Sequence, residues 1–179
     1  VNAVDPALRP RVIAITGSNG KSTTTALIGH LLKETGRDAV VGGNIGKPVL
    51  SLPEIVKTRY YVLELSSFQL DLAKSLRVNT ALFLNLSPDH IDRHGDMAGY
   101  IAAKKRIFLN QTREDAAIIG VDDVWSQGVC AWLMSSGARK VTPVSADGAL
   151  GRGVFALNGK LYFSLREKSG EAGDISGIA

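Results

Sequence analysis

The hydrophobic pattern of the chain alternates short apolar runs with longer amphipathic ones. Val12-Ile13-Ala14-Ile15 predicts a strand over about 11–16. A helix over about 21–35 follows, with Leu27, Ile28, Leu31 and Leu32 on one face and Gly36 as its stop. Further strands are expected over 38–41, 60–63, 80–84, 116–121 and 140–144. Helices are expected over 97–110 and 124–136, the second closed by Gly137. Trp125 and Trp132, seven apart on that helix, read as core, as does Cys130. Both faces of the 97–110 helix are partly apolar. One of Lys104 and Lys105 must therefore lie near buried surface, where an amine is costly unless paired or modified, and periodicity does not say which.

Strands alternating with helices predict an α/β fold, a mostly parallel sheet flanked by helices. From Asp147 the texture changes. Phe155-Ala156-Leu157, Asn158-Gly159 and Lys160-Leu161-Tyr162-Phe163 read as a hairpin, a small β appendage near the C-terminus. Residues 167–179 are polar and glycine-rich, and no closing element is expected there. Residues 1–11, with Pro6 and Pro10, read as a linker, and 12–179 as one domain.

Composition narrows the function. The 179 residues are 45% hydrophobic, enough for one good core. No apolar run approaches the ~20 residues of a membrane helix, so no membrane partner is expected. Cys130 is alone, which rules out an internal disulfide and fits a reducing cytoplasm. The net charge of +4 comes from scattered Lys and Arg, with no basic run and no interleaved aromatics. Nucleic acid is therefore not the expected partner, and anionic small molecules such as nucleotides account for the charge as well.

The candidate chemistry sits at strand ends. Thr16-Gly17-Ser18-Asn19-Gly20-Lys21-Ser22-Thr23 joins the first strand to the first helix. Strand, glycine turn, lysine with hydroxyls, then helix is the layout of a phosphate-binding loop. The general pattern places four residues between its first glycine and the Gly-Lys pair; here Gly17 and Gly20 enclose two. An ordinary strand-to-helix turn with a solvent lysine is the competing reading. Gly42-Gly43-Asn44-Ile45-Gly46 is a loop able to approach a ligand closely. Glu64 ends the third strand, where parallel α/β sheets place ligands and a phosphate-loop protein places a metal carboxylate. The stretch from Asn85 to His94 packs Asp89, His90, Asp92, Arg93 and His94 behind the fourth strand.

Taken in order, these motifs, with Leu63-Glu64-Leu65-Ser66-Ser67-Phe68-Gln69-Leu70 and Ala102-Ala103-Lys104, resemble the Mur ligases of bacterial peptidoglycan synthesis. The phosphate loop is shared across that superfamily, folylpolyglutamate synthase included. The Glu-Leu-Ser-Ser-Phe-Gln-Leu stretch is similar to the D-glutamate-adding branch. The resemblance implies a phosphate-loop NTPase-like central domain. The family's N-terminal UDP-binding domain, C-terminal domain and asparagine-rich adenine motif are expected to lie outside this sequence. A monomer in the bacterial cytoplasm is expected.

The implied chemistry is amide formation. The carboxylate of UDP-N-acetylmuramoyl-L-alanine attacks the γ-phosphate of ATP, and the amine of D-glutamate attacks the resulting acyl phosphate. Two Mg2+ ions are implied. By motif match, Gly17, Ser18, Asn19, Gly20, Lys21, Ser22 and Thr23 cradle the phosphates, with Lys21 on the β and γ groups. Ser22 and Glu64 hold the first magnesium. His90 joins the second together with Lys104, whose family counterpart is often carbamylated. Lys21, Glu64, His90 and Lys104 are thus the implied catalytic set. Asn44, Ser66 and Gln69 contact the muramoyl substrate, and Asp89 and Arg93 orient neighbours. Two other readings stay open: another Mur or folylpolyglutamate-type ligase, or a nucleotide-binding module without turnover.

Overall fold

The computed structural model describes residues 9–165 and 168–177. In chain order it contains β1 (Arg11–Thr16), α1 (Lys21–Glu34), β2 (Ala39–Gly43), β3 (Tyr60–Glu64), α2 (Ser67–Leu72), β4 (Thr80–Phe83) and α3 (Ile91–His94). There follow α4 (Met97–Lys105), β5 (Ala116–Gly120), α5 (Val124–Ser136), β6 (Lys140–Ser145), β7 (Gly153–Leu157), β8 (Lys160–Leu165) and β9 (Lys168–Asp174). The 97–110 helix is shorter than the pattern suggested: α4 ends at Lys105 and tightens into a 3-10 turn over Arg106–Phe108. Of the expected linker, residues 1–8 lie outside the described residues, and Arg11 already belongs to β1.

The strands form one sheet in the order β2-β3-β1-β4-β5-β6-β7-β8-β9. Pairing is parallel from β2 through β7, then antiparallel through β8 and β9. From β1 the chain first adds β2 and β3 on one side and then β4, β5 and β6 on the other. The carboxyl end of β1 is therefore the point where the winding reverses, the place such sheets leave a crevice. The strands there are apolar on both faces because helices cover both; Ala14, Val62, Leu63, Ala81 and Phe83 are all buried.

Three expectations are corrected. Leu27 and Leu31 are not the inner face of α1: they are 54% and 52% exposed, and Thr25 and Gly29 are the buried residues. Gly29 explains the rotation. A Cβ there would fall inside the van der Waals radius of Val41 Cγ2, so α1 seats its smallest residue on β2. Leu27 and Leu31, two positions to either side of Gly29, turn outward, while Ile28 and Leu32 stay half-buried beside it.

Trp125 and Trp132 are not core either, being 36% and 40% exposed; Ser126, Val129, Cys130 and Leu133 form the buried face of α5. Trp132 instead packs under cations, with Lys105 Nζ 3.7 Å from its ring centre and the Arg139 guanidinium at 5.8 Å.

The glycine-rich tail does close, as β9 on β8. A ladder needs backbone groups, not large side chains, and Lys168, Glu171 and Asp174 give this edge the charges that keep edges from self-pairing. The hairpin expectation holds, with Asn158 at φ 51 and Gly159 at φ 74 forming its turn.

Candidate functional site

The loop after β1 is held open by its glycines and by the loop after β4. Gly20 sits at φ 78 in the left-handed region and begins α1 without a side-chain cap. The first turn of α1 contains no acidic residue, so its amides keep the partial positive charge that attracts anions. Gly17 is needed for space: a Cβ would stand 2.9 Å from Leu84 Cβ and 3.3 Å from Asn85 N.

Asn85 fixes the loop backbone. Its carbonyl accepts from Ser18 N (3.0 Å), its Oδ1 accepts from Asn19 N (2.8 Å), and its Nδ2 donates to Asn19 O (3.2 Å). Ser18 Oγ donates to Ser87 O and accepts from Ser87 N. Lys21 curls over its own loop, its Nζ donating to Gly17 O at 3.0 Å and Ser18 O at 2.8 Å.

Glu64 is buried at the end of β3, one strand from this loop. Ser22 Oγ donates to its Oε2 at 2.7 Å, and Asn44 Nδ2 donates to its Oε1 at 2.9 Å. Gly43 makes this approach possible, because a Cβ there would collide with Glu64 O. Two neutral donors hold the Glu64 carboxyl in place and leave each of its oxygens a further lone pair. Carboxylate, hydroxyl and amide oxygen are the hard donors that suit Mg2+, so these residues fit that ion.

Lys104, not Lys105, is the buried amine, at 2% exposure. Its Nζ donates to Gly17 O at 2.8 Å and stands 3.5 Å from Thr16 Oγ1. Burial, reinforced by the charge of Lys21 and opposed by Asp89, lowers its pKa to about 7. Lys105 lies outward on Trp132.

His90 adopts a left-handed backbone (φ 51) and remains half-exposed, its Nε2 3.5 Å from Asp89 Oδ2. His94 is tied into the frame by Ser67 Oγ at 3.0 Å. Among the described residues no three His, Cys, Asp or Glu side chains converge as a ready metal cluster. Ser22 and Glu64 are in direct contact, whereas His90 and Lys104 share only the lining of one cleft.

A cleft of about 510 Å³ brings the expected residues together: Lys21, Asn44, Ser66, Gln69, His90 and Lys104 all line it. Ser66 and Gln69 also form a reciprocal capping box at the start of α2. Their inner groups are thereby fixed before any ligand is considered. Arg93 does not line this cleft; it reaches Asp71 at 3.8 Å. A larger cleft, about 620 Å³, lies at the other end of the strands between Arg9, Lys57 and Glu114, away from every strand-end motif. Two residues of the site went unread in the sequence. Asn85 carries the signal of a polar residue at a strand end; Tyr100, on a helix with two partly apolar faces, carries none for its hydroxyl.

A family model described as Mur ligase middle domain matches residues 15–169. The UDP-N-acetylmuramoylalanine--D-glutamate ligase of Caulobacter sp. (strain K31) is 56% identical over 175 residues, 98% of this chain and 37% of the relative. The ligases of the same name from Phenylobacterium zucineum and Brucella abortus are 53% and 46% identical, over 98% and 93% of this chain. The chain thus spans little more than a third of the length of these relatives.

Among solved structures, a UDP-N-acetylmuramoyl-L-alanyl-D-glutamate--2,6-diaminopimelate ligase superposes with a TM-score of 0.68 at 23% identity, over 93% of this chain and 39% of that one. A MurF ligase from Thermotoga maritima in complex with ADP gives a TM-score of 0.62 at 19% identity, over 93% and 41%. At these identities the two structures speak for the fold.

Proposed function

The chain belongs to the Mur ligase family as a middle domain, and we propose that it is the ATP-using part of a D-glutamate ligase acting on UDP-N-acetylmuramoyl-L-alanine in peptidoglycan synthesis. The observation that carries this reading is the meeting of Lys21, Lys104 and the Ser22–Glu64 pair around one glycine loop at the winding reversal. The relatives, which are D-glutamate ligases by name, and the ADP complex of a structural neighbour support the substrates and the nucleotide.

In this reading Lys21 leaves the carbonyls of Gly17 and Ser18 for the β and γ oxygens of ATP. The uncapped amides at the start of α1 hold the remaining phosphate charge, while Ser18 N and Asn19 N stay tied to Asn85 and keep the loop in shape. Asn44, Ser66 and Gln69 line the side of the cleft that receives the muramoyl substrate and orient its carboxylate toward the γ-phosphorus. That carboxylate oxygen bonds to phosphorus as ADP leaves; the amine of D-glutamate then displaces phosphate and the amide forms.

Ser22 and Glu64 would hold one magnesium ion, and His90 with a carbamylated Lys104 a second, supplying positive charge for the phosphoryl oxygens when bound. Carbamylation needs a neutral amine, and the lowered pKa of Lys104 provides one near neutral pH. Asp89 orients His90, and Arg93 braces α3 through Asp71. The protein works as a monomer on soluble small molecules in the bacterial cytoplasm, a reading to which the charged edge of β9 and the scattered basic residues lend support.

Titrating Mg-ATP into the protein by calorimetry tests the phosphate site. Lys21→Ala is expected to weaken binding ~10-fold or more, the scale of one hydrogen bond to a charged group, and in the intact ligase to cut turnover at least ~10²-fold. Equal affinity in the two proteins would overturn the assignment. Comparing D-glutamate with other amino acids in an ADP-release assay of the intact ligase reads the acceptor.

A further inference from the structure

The mechanism above gives no role to Tyr100, a buried side chain of the cleft. Tyr100 lies on α4 one turn before Lys104, so the two share a helix face. It is buried, lines the cleft, and places its hydroxyl 3.1 Å from Ser18 Oγ.

Proton accounting gives that bond a direction. A serine hydroxyl has one proton to donate and two lone pairs. Ser18 Oγ donates to Ser87 O at 3.0 Å and accepts from Ser87 N at 2.9 Å. One lone pair remains, and the Tyr100 O–H donates into it. Burial pushes the phenol's pKa up, which keeps that proton in place. The ring has a second contact. Lys104 Nζ stands 4.7 Å from its centre, within cation–π range. One rigid side chain therefore touches the phosphate loop through its oxygen and Lys104 through its face.

We infer that Tyr100 is a positioning residue: its hydroxyl clamps the phosphate loop at Ser18 and its ring floors Lys104, which together set the spacing between the two. The role in nucleotide binding rests on the phosphate-site reading given above; the clamp itself does not.

Three measurements test it. The first is a double-mutant cycle on Mg-ADP affinity by calorimetry, with Tyr100→Phe, Ser18→Ala and the pair. Tyr100→Phe keeps the ring and the fold, and is expected to weaken binding ~5-fold, the scale of one neutral hydrogen bond. The double variant is expected to bind no worse than the weaker single one, because both remove the same link. Fully additive losses, or wild-type affinity in Tyr100→Phe, would overturn the inference.

The second is amide hydrogen exchange without nucleotide. Tyr100→Phe is expected to speed exchange at Ser87 several-fold and leave Val62 in β3 unchanged; equal rates at Ser87 would overturn the clamp. The third reads the ring. The Lys104 side-chain proton signals should be shifted upfield in the wild type and in Tyr100→Phe, and lose that shift in Tyr100→Leu. Unshifted signals in the wild type would remove Lys104 from the ring face. A wild type that binds no nucleotide would sink the phosphate-site reading, while the exchange and ring-shift results would still decide for or against Tyr100.

Discussion

Two lysine nitrogens share one carbonyl: Lys21 Nζ and Lys104 Nζ both donate to Gly17 O, at 3.0 and 2.8 Å. Only Lys104 is sealed from water, and it bears the cost of that crowding. Its folded pKa is about 7 against an ordinary 10.5. Between those values the unfolded chain binds a proton that the folded chain does not, so stability rises with pH across that window. Urea melts in bicarbonate-free buffer at about pH 7 and about pH 8.5 should show the increase, and Lys104→Met should flatten it. The upper point stays below the ordinary 9.0 of a thiol, because the raised pKa of Cys130 acts in the opposite direction from there.

A slope unchanged by Lys104→Met would mean that another group titrates. The sequence could announce that one of two adjacent lysines is buried, but not which. They lie 100° apart on a helix with two partly apolar faces, and the choice was made by the position of the Gly17 carbonyl, on another element. Glu64 was legible because an acid closing a β-rich run has few other reasons to be there.

At the scale of elements, α1 shows how a helix can be read in the right place with its inner face rotated: Ile28 and Leu32 are half-buried, Leu27 and Leu31 exposed. Its limits follow from Gly20 and Gly36, both at positive φ. Its orientation follows from contact with β2, which the leucine spacing did not contain. Exposed leucines and a buried glycine reverse the usual hydrophobic logic, and that makes a sign prediction. Gly→Ala in a helix interior ordinarily stabilises by about 1 kcal/mol. Gly29→Ala is expected instead to cost about 1–3 kcal/mol, as overpacking against the stiff Val41 side chain. The double variant with Val41→Ala should recover most of the loss. Urea denaturation of the three proteins decides it, and a stabilised Gly29→Ala would show that α1 can lift from the sheet freely. The tryptophans of α5 were misread for a related reason. Their seven-residue spacing defines a face, but Val129, Cys130 and Leu133 define the inner one, and cations hold Trp132 at the surface.

For the whole molecule, the α/β class and the strand-end location of the site could be read from alternation alone; the order of strands and the closing β9 could not. Pairing depends on register between distant segments, and a glycine-rich tail carries little side-chain signal. The sheet is also uneven. β6 and β7 meet over two register pairs, Val144 with Val154 and Ser145 with Phe155, whereas β1 and β3 meet over five. In β7 to β9 only Gly153 is buried among the described residues. Native-state hydrogen exchange is therefore expected to show β8 amides opening at lower free energy than those of β1 and β3. Equal protection across the sheet would mean that the appendage and the parallel core unfold as one unit.

The bonds between the β1 loop and Asn85 and Ser87 have a last consequence, for anyone who would move this site into another protein. The eight residues from Thr16 to Thr23 look portable, a cassette to splice between a strand and a helix. Yet Ser18 and Asn19 take their shape from partners sixty-six to sixty-nine positions away. A graft that carries the cassette alone leaves behind half of its mould, and a faithful transplant needs both segments on adjacent parallel strands.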